Sequence, residues 1–201
     1  MRPIAVGVPL RRITSKVVLQ QCRDEVREAL LPSDVAKHPF SQVEVGLQGG
    51  AKILSHNISH LLNKHRELSV LKIDCKNAFN SLSRWLVKKV TKAVCPGASP
   101  FVDAMYGIPA KLFVIDPGGV HEPVELFSEE GVQQGDPLGS ALFSIAVNPV
   151  IEKTMDMLRQ RHSDLDDLCC IATGYLDDYF FVGTDKFLVD TLFPLLIKNL
   201  S

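Results

Sequence analysis

The pattern of elements predicts an α+β fold in which helices pack on one face of an antiparallel sheet, and three stretches carry the prediction. Gly174-Tyr175-Leu176-Asp177-Asp178-Tyr179-Phe180-Phe181-Val182-Gly183 sets two adjacent carboxylates between apolar, aromatic and β-branched flanks. Such flanks favour two short strands, with Leu176-Asp177-Asp178 as the turn of a hairpin. Leu68 to Cys75 reads as another strand, with Asp74 near its end. Asp116-Pro117-Gly118-Gly119, between Lys111 to Ile115 and Val120 to Phe127, signals a second hairpin.

Taken in order, Arg2 to Leu10 reads as a strand or hairpin arm. Arg11 to Leu31 carries Ile13, Val17, Cys22, Val26 and Leu30 at near-helical spacing, and Pro32 helps to end it. Ser41 to Gly46 is a short strand candidate, and Gly49-Gly50 opens a helix through about His65. After the Asp74 strand comes an amphipathic helix from about Ser81 to Val94, ended by Cys95-Pro96-Gly97. Pro137 starts an apolar helix toward Arg161, which Pro149 should kink or divide. A final helix starts near Thr184. From Leu68 onward the order is strand, helix, hairpin, helix, hairpin, helix, with a smaller module formed by the residues before it.

The 201 residues can bury a real core, and 46% apolar with 22% charged residues is ordinary globular composition. The chain has no apolar run of membrane-spanning length and no signal-peptide core, so no membrane partner is expected. Five cysteines without a C-x-x-C pattern argue against a disulfide framework and for an intracellular, reducing compartment. His56 and His60 lie one helical turn apart, with His65 beyond, and read as a polar helix face rather than a metal site. The net charge of −1 hides a basic start, since Arg2, Arg11, Arg12, Lys16 and Arg23 precede the first acid, Asp24. Arg84, Lys88 and Lys92 form a row read as a solvated face, with Trp85, Leu86, Val90 and Val94 on the buried side.

Two neighbouring Asp residues at a hairpin tip repel each other, and a hard divalent cation is the natural neutraliser. The plainer alternative is an acidic surface turn, and for Asp74 a strand-end cap. Together, Asp74 and the Asp177-Asp178 pair supply what a two-metal phosphoryl-transfer site needs, with ions roughly 3.5–4 Å apart clamping the attacking and leaving oxygens.

Between them lies Gly131-Val132-Gln133-Gln134-Gly135-Asp136-Pro137-Leu138-Gly139-Ser140-Ala141-Leu142-Phe143. With Asp74-Cys75-Lys76-Asn77-Ala78-Phe79 before it and Tyr175-Leu176-Asp177-Asp178 after it, the chain resembles the reverse transcriptase family, nearest to the polymerase of non-LTR retrotransposons. Arg2-Pro3-Ile4 and Gly46-Leu47-Gln48-Gly49-Gly50 resemble the fingers motifs of those elements. The resemblance implies a right-hand polymerase palm with partial fingers and no thumb. Fingers would cover 1–66 and palm 67–201, with an approximate border and part of 95–130 open to either.

It also implies an RNA-directed DNA polymerase that adds dNMPs to a primer 3′-hydroxyl on an RNA or DNA template. Asp74, Asp177 and Asp178 match the catalytic carboxylates; with the Cys75 carbonyl they would bind Mg²⁺, or Mn²⁺ in its place. Arg2, Asn77, Ala78, Phe79, Gln134 and Gly135 match the nucleotide-binding positions. Phe79 matches the aromatic gate that crowds a ribose 2′-hydroxyl, against the simpler role of a core aromatic; the two can coexist.

Departures are Asn80 where many relatives carry Asp, there an expected helix N-cap, Glu44 in place of a small residue, and Leu176 in the retroviral style. The family continues into a Lys-bearing strand, a primer-gripping hairpin and a thumb, so both ends look cut. Two readings compete with the active polymerase: an inactive remnant that still holds primer–template, and an RNA-dependent RNA polymerase. A retrotransposon polymerase would act in the nucleus.

Overall fold

The structure, a computed structural model, describes residues 8–31, 41–42, 49–114, 118, 122–133, 135–162 and 169–200. The arm expected over Arg2 to Leu10 lies mostly outside these residues, and its end is helical: Pro9 opens α1 (Pro9–Gln21), with its missing N–H at a position that needs none. The single helix expected to Leu31 is two, since α2 is Arg23–Leu30 and Cys22 stands between them. Cys22, Val26 and Leu30 are buried one turn apart, whereas Ile13 and Val17 are exposed.

Strand β1 is Ser41–Gln42, and the remainder of its expected range lies outside the described residues. Gly49, at φ 77°, precedes α3 (Gly50–Lys64) in a left-handed conformation that suits glycine. Strand β2 is Leu68–Asp74. The helix expected from Ser81 is split into α4 (Ala78–Ser81) and α5 (Arg84–Val94), because Ser83 leaves the helix and accepts from Leu86 N at 3.5 Å as an N-cap.

At the expected break a 3₁₀ turn, Pro96–Ala98, leads into α6 (Ser99–Tyr106), a stretch to which the sequence assigned no element. Strands β3 (Ala110–Val114) and β4 (Val124–Ser128) form the expected antiparallel hairpin. Helix α7 (Gly139–Arg161) is not divided by Pro149. Strands β5 (Cys169–Tyr175) and β6 (Asp178–Thr184) are followed by α8 (Asp185–Phe187), a π turn at Leu188–Leu192 and α9 (Phe193–Leu200).

Two compact units emerge: Met1–Arg23 with Asn77–Phe143, and Asp24–Lys76 with Ser144–Ser201. The first contains the β3–β4 hairpin with α1, α4, α5 and α6. The second holds a four-stranded sheet in the order β1-β5-β6-β2, antiparallel except where two-residue β1 runs parallel to β5. Alternation along β6 buries Tyr179 and Phe181 on one face. Asp178 and Phe180 take the other face, opposite Asp74 and Lys72. No helix among the described residues is long and apolar enough to cross a membrane.

Candidate active site

The tip of the β5–β6 hairpin is tighter than sequence reading suggested. Tyr175 pairs with Asp178, so the loop is Leu176-Asp177 and Asp178 belongs to β6. Of the two loop residues only Leu176 has a positive φ, 58°, the pattern of a type II′ turn. Glycine is the usual residue there, and a leucine pays a steric penalty of about 1–2 kcal/mol. The strain sits directly beside the acidic pair, a common place for it in functional loops.

Antiparallel pairing sets Asp74, the last residue of β2, directly opposite Asp178. Lys72, two residues earlier, therefore lies on the same face. Its Nζ is 2.9 Å from Asp178 Oδ2, and this hydrogen bond raises the ammonium pKa, with Asp74 and Asp177 adding to the effect. Burial, then Asp177, Asp74 and Asp178, pushes the Cys75 thiol up, so all three carboxylates act on one neighbour. Burial above all, then Cys75 and Asp177, also raises the Tyr179 phenol.

As the side chains stand, no group of three His, Cys, Asp or Glu residues among those described could hold a metal ion. The donors nonetheless suit a hard cation, since Asp74, Asp177 and Asp178 offer carboxylate oxygens only. Lys72 supplies positive charge at Asp178.

The nucleotide-binding candidates with described positions, Asn77, Ala78, Phe79 and Gly135, belong to the other unit; Arg2 and Gln134 lie outside the described residues. Asn77 adopts φ 57°, and its carbonyl accepts from Asn80 N at 3.0 Å and Ser81 N at 3.1 Å. Asn80 is not an N-cap: it lies inside α4 and its Nδ2 donates to Asn77 Oδ1 at 3.0 Å. Phe79 is buried and stacks on Phe143 with ring centroids 4.8 Å apart, so the ring is a core aromatic.

The segment that begins at Gly131 is stapled to this turn. Val132 N donates to Phe79 O at 2.7 Å, and Gly131 N to Leu82 O at 2.9 Å. Gly131 sits at φ 72°, and a Cβ there would fall 2.4 Å from Asn80 Cα, so only glycine fits. Arg84, assigned by sequence to a solvated row, instead grips this loop. Its Nε donates to Gly131 O at 3.0 Å, and its terminal nitrogen to Ser128 Oγ at 2.9 Å and Glu130 O at 3.2 Å.

Asp136 anchors the other end of the loop and was not foreseen as an anchor. One oxygen, Oδ2, accepts from Arg11 Nε at 3.2 Å and a terminal Arg11 nitrogen at 3.1 Å, and from the Tyr106 hydroxyl at 3.0 Å. The other accepts from Leu138 N at 3.0 Å. That contact is an Asx turn, which the Asp136-Pro137 pair could have signalled. Arg11 also lies over the Tyr106 ring, 5.0 Å from its centroid. Tyr106 is buried, which with the Asp136 carboxylate pushes its phenol up to about 12.

The family model "Reverse transcriptase (RNA-dependent DNA polymerase)" matches residues 1–196. Among solved structures, apo telomerase from Candida tropicalis aligns with TM-score 0.58 at 14% identity, over 94% of this chain and 34% of that one. The same telomerase truncated from its C-terminal domain gives 0.56 at 14% identity, over 94% and 36%. Telomerase from Candida albicans, in complex with a fragment of telomeric RNA, gives 0.52 at 16%, over 93% and 32%. These likenesses show the fold, and the chain spans about a third of each neighbour's length. No curated protein matches.

Proposed function

Since the chain belongs to the reverse transcriptase family, we propose that it is the part of an RNA-directed DNA polymerase that adds dNMPs to a primer 3′-hydroxyl. The observation that carries this is the register that sets Asp74 opposite Asp178, with Asp177 beside it in a strained two-residue turn. Asp74, Asp177 and the Cys75 carbonyl would hold Mg²⁺, or Mn²⁺ in its place, with Asp178 contributing less. Bound there, divalent ions supply Lewis-acid activation of the primer hydroxyl and neutralise the departing pyrophosphate.

The protein's own groups do the remainder. Lys72 balances the charge of Asp178, which limits repulsion among the three acids. The backbone amides of Asn77 and Ala78, with Arg2, would receive the triphosphate, and Gln134-Gly135 the base. Phe79 would lie below the sugar. The sequence resemblance supports a retrotransposon source and a nuclear place of action.

The test is primer extension on an RNA template, with dNTPs and NTPs compared. A 2′-hydroxyl pressed on an aromatic ring costs about 1–3 kcal/mol, up to roughly a hundredfold preference for dNTPs. Asp177→Asn should abolish incorporation. Equal use of dNTPs and NTPs would favour an RNA polymerase; no incorporation with either metal would favour an inactive remnant.

A further inference from the structure

Trp85 is the only tryptophan in the chain, and amphipathic spacing assigned it to the buried side of its helix. It is instead 66% exposed, while Val87 and Thr91 are fully buried. Trp is enriched at surfaces where partners dock. The side chains around it are equally one-sided. Trp85, Lys88, Lys89 and Lys92 of α5 line a groove of about 280 Å³ with Ser99 and Asp103 of α6.

Lys89 Nζ lies 4.8 Å from the indole centroid. Lys88 pairs with Asp103 at 3.5 Å, so Lys89 and Lys92 carry the groove's surplus positive charge, and α5 contains no acidic residue. Ser99 Oγ is buried and has no hydrogen-bond partner among the described residues. The groove therefore combines a flat aromatic face with surplus cations.

We propose that this groove binds single-stranded nucleic acid, with one base stacked on Trp85 and adjacent phosphates held by Lys89 and Lys92. Base–aromatic stacking combined with a cationic track is the general means of holding single strands without reading sequence. Lys89 and Lys92, three residues apart on a helix, project side by side and can reach neighbouring phosphates of one strand. An acidic peptide would satisfy the lysines but gain little from the indole, so the aromatic face decides between the two. The groove uses none of the three candidate catalytic carboxylates, so the proposal stands whether or not the chain polymerises.

Trp85 is its own reporter. Titration of the full chain with oligothymidylate should quench its emission in a saturable, salt-sensitive manner. In the exposed double variant Lys89→Gln/Lys92→Gln, affinity should fall about tenfold. The slope of log affinity against log salt should drop by roughly 1.4, the loss of two phosphate contacts on a single strand. Anisotropy of a labelled oligothymidylate should show about tenfold weaker binding to Trp85→Ala. Circular dichroism checks that each variant is folded. Binding seen by anisotropy with unchanged Trp85 emission would place the nucleic acid elsewhere and overturn the proposal. So would quenching by polyglutamate but not by oligothymidylate, or no binding in either assay. Failure of primer extension alone would leave it standing.

Discussion

Asp136 illustrates how a charge is kept in a protein interior. Its side chain is 1% exposed and that of Arg11 12%, so each has exchanged water for the other and for Tyr106. Removing one partner strands the other, which typically costs about 3–5 kcal/mol. Asp136→Ala and Arg11→Met should each lower stability by that order in urea denaturation, with the double variant losing far less than the sum. Tyr106 adds a pH dependence. Its phenol rises from an ordinary 10 to about 12, so the folded chain keeps a proton that the unfolded chain releases in that window. Stability is then full below pH ~10 and falls by roughly 2–3 kcal/mol as pH climbs through ~12. Tyr179, also raised, acts in the same direction, so Tyr106→Phe should flatten only part of the alkaline slope in pH-dependent unfolding. At the acidic cluster, Lys72 competes with any cation for Asp178. Lys72→Gln should tighten Mn²⁺ binding severalfold, read by paramagnetic relaxation of water, since one ammonium near three carboxylates is lost. Lys72 and Asp136 were illegible as participants because their partners are remote: Arg11 and Asp136 are 125 positions apart.

Elements with strong local signals were legible. The two hairpins and the Asp74 strand followed from alternation and turn residues. Helix α6 was missed because its eight residues bury only Val102 and Tyr106, too few to show a helical period in the sequence. Trp85 was misplaced for another reason: size and apolarity suggest burial, but only tertiary neighbours decide which stripe of a helix is covered. Helix α7 overrides its proline by packing. Ile145, Ile151, Met155 and Leu158 are buried along it, and Asn148 ties it to α2 by donating to Ala29 O at 3.2 Å. The unmade hydrogen bond at exposed Pro149 remains a cost, partly offset by the stiffer unfolded chain. Pro149→Ala should therefore raise the urea midpoint, by an amount equivalent to about 1–2 kcal/mol.

At the scale of the molecule, family membership rests on a match over residues 1–196, and the fold on telomerase structures of low identity. The contacts divide the chain after Arg23, Lys76 and Phe143, the last of these inside α7. Each unit is assembled from two separate stretches of sequence. A linear reading cannot see such an arrangement, because local periodicity reports which residues are buried and says little about which distant segment buries them.

The pairing of β2 with β6 has a kinetic signature. Side chains of a strand alternate in direction, so a slip of one position would turn Asp74 to the opposite face from Asp178. Misalignment is then a matter of all or nothing: each molecule is either competent or inert. A core substitution such as Phe181→Ala, at a fully buried position of β6, should cost about 3–5 kcal/mol and enlarge the inert fraction. In a pre-steady-state burst assay with primer–template in excess over enzyme, the burst amplitude should shrink while its rate constant stays near that of the parent. A slowed rate at full amplitude would instead mean that the carboxylates tolerate graded displacement.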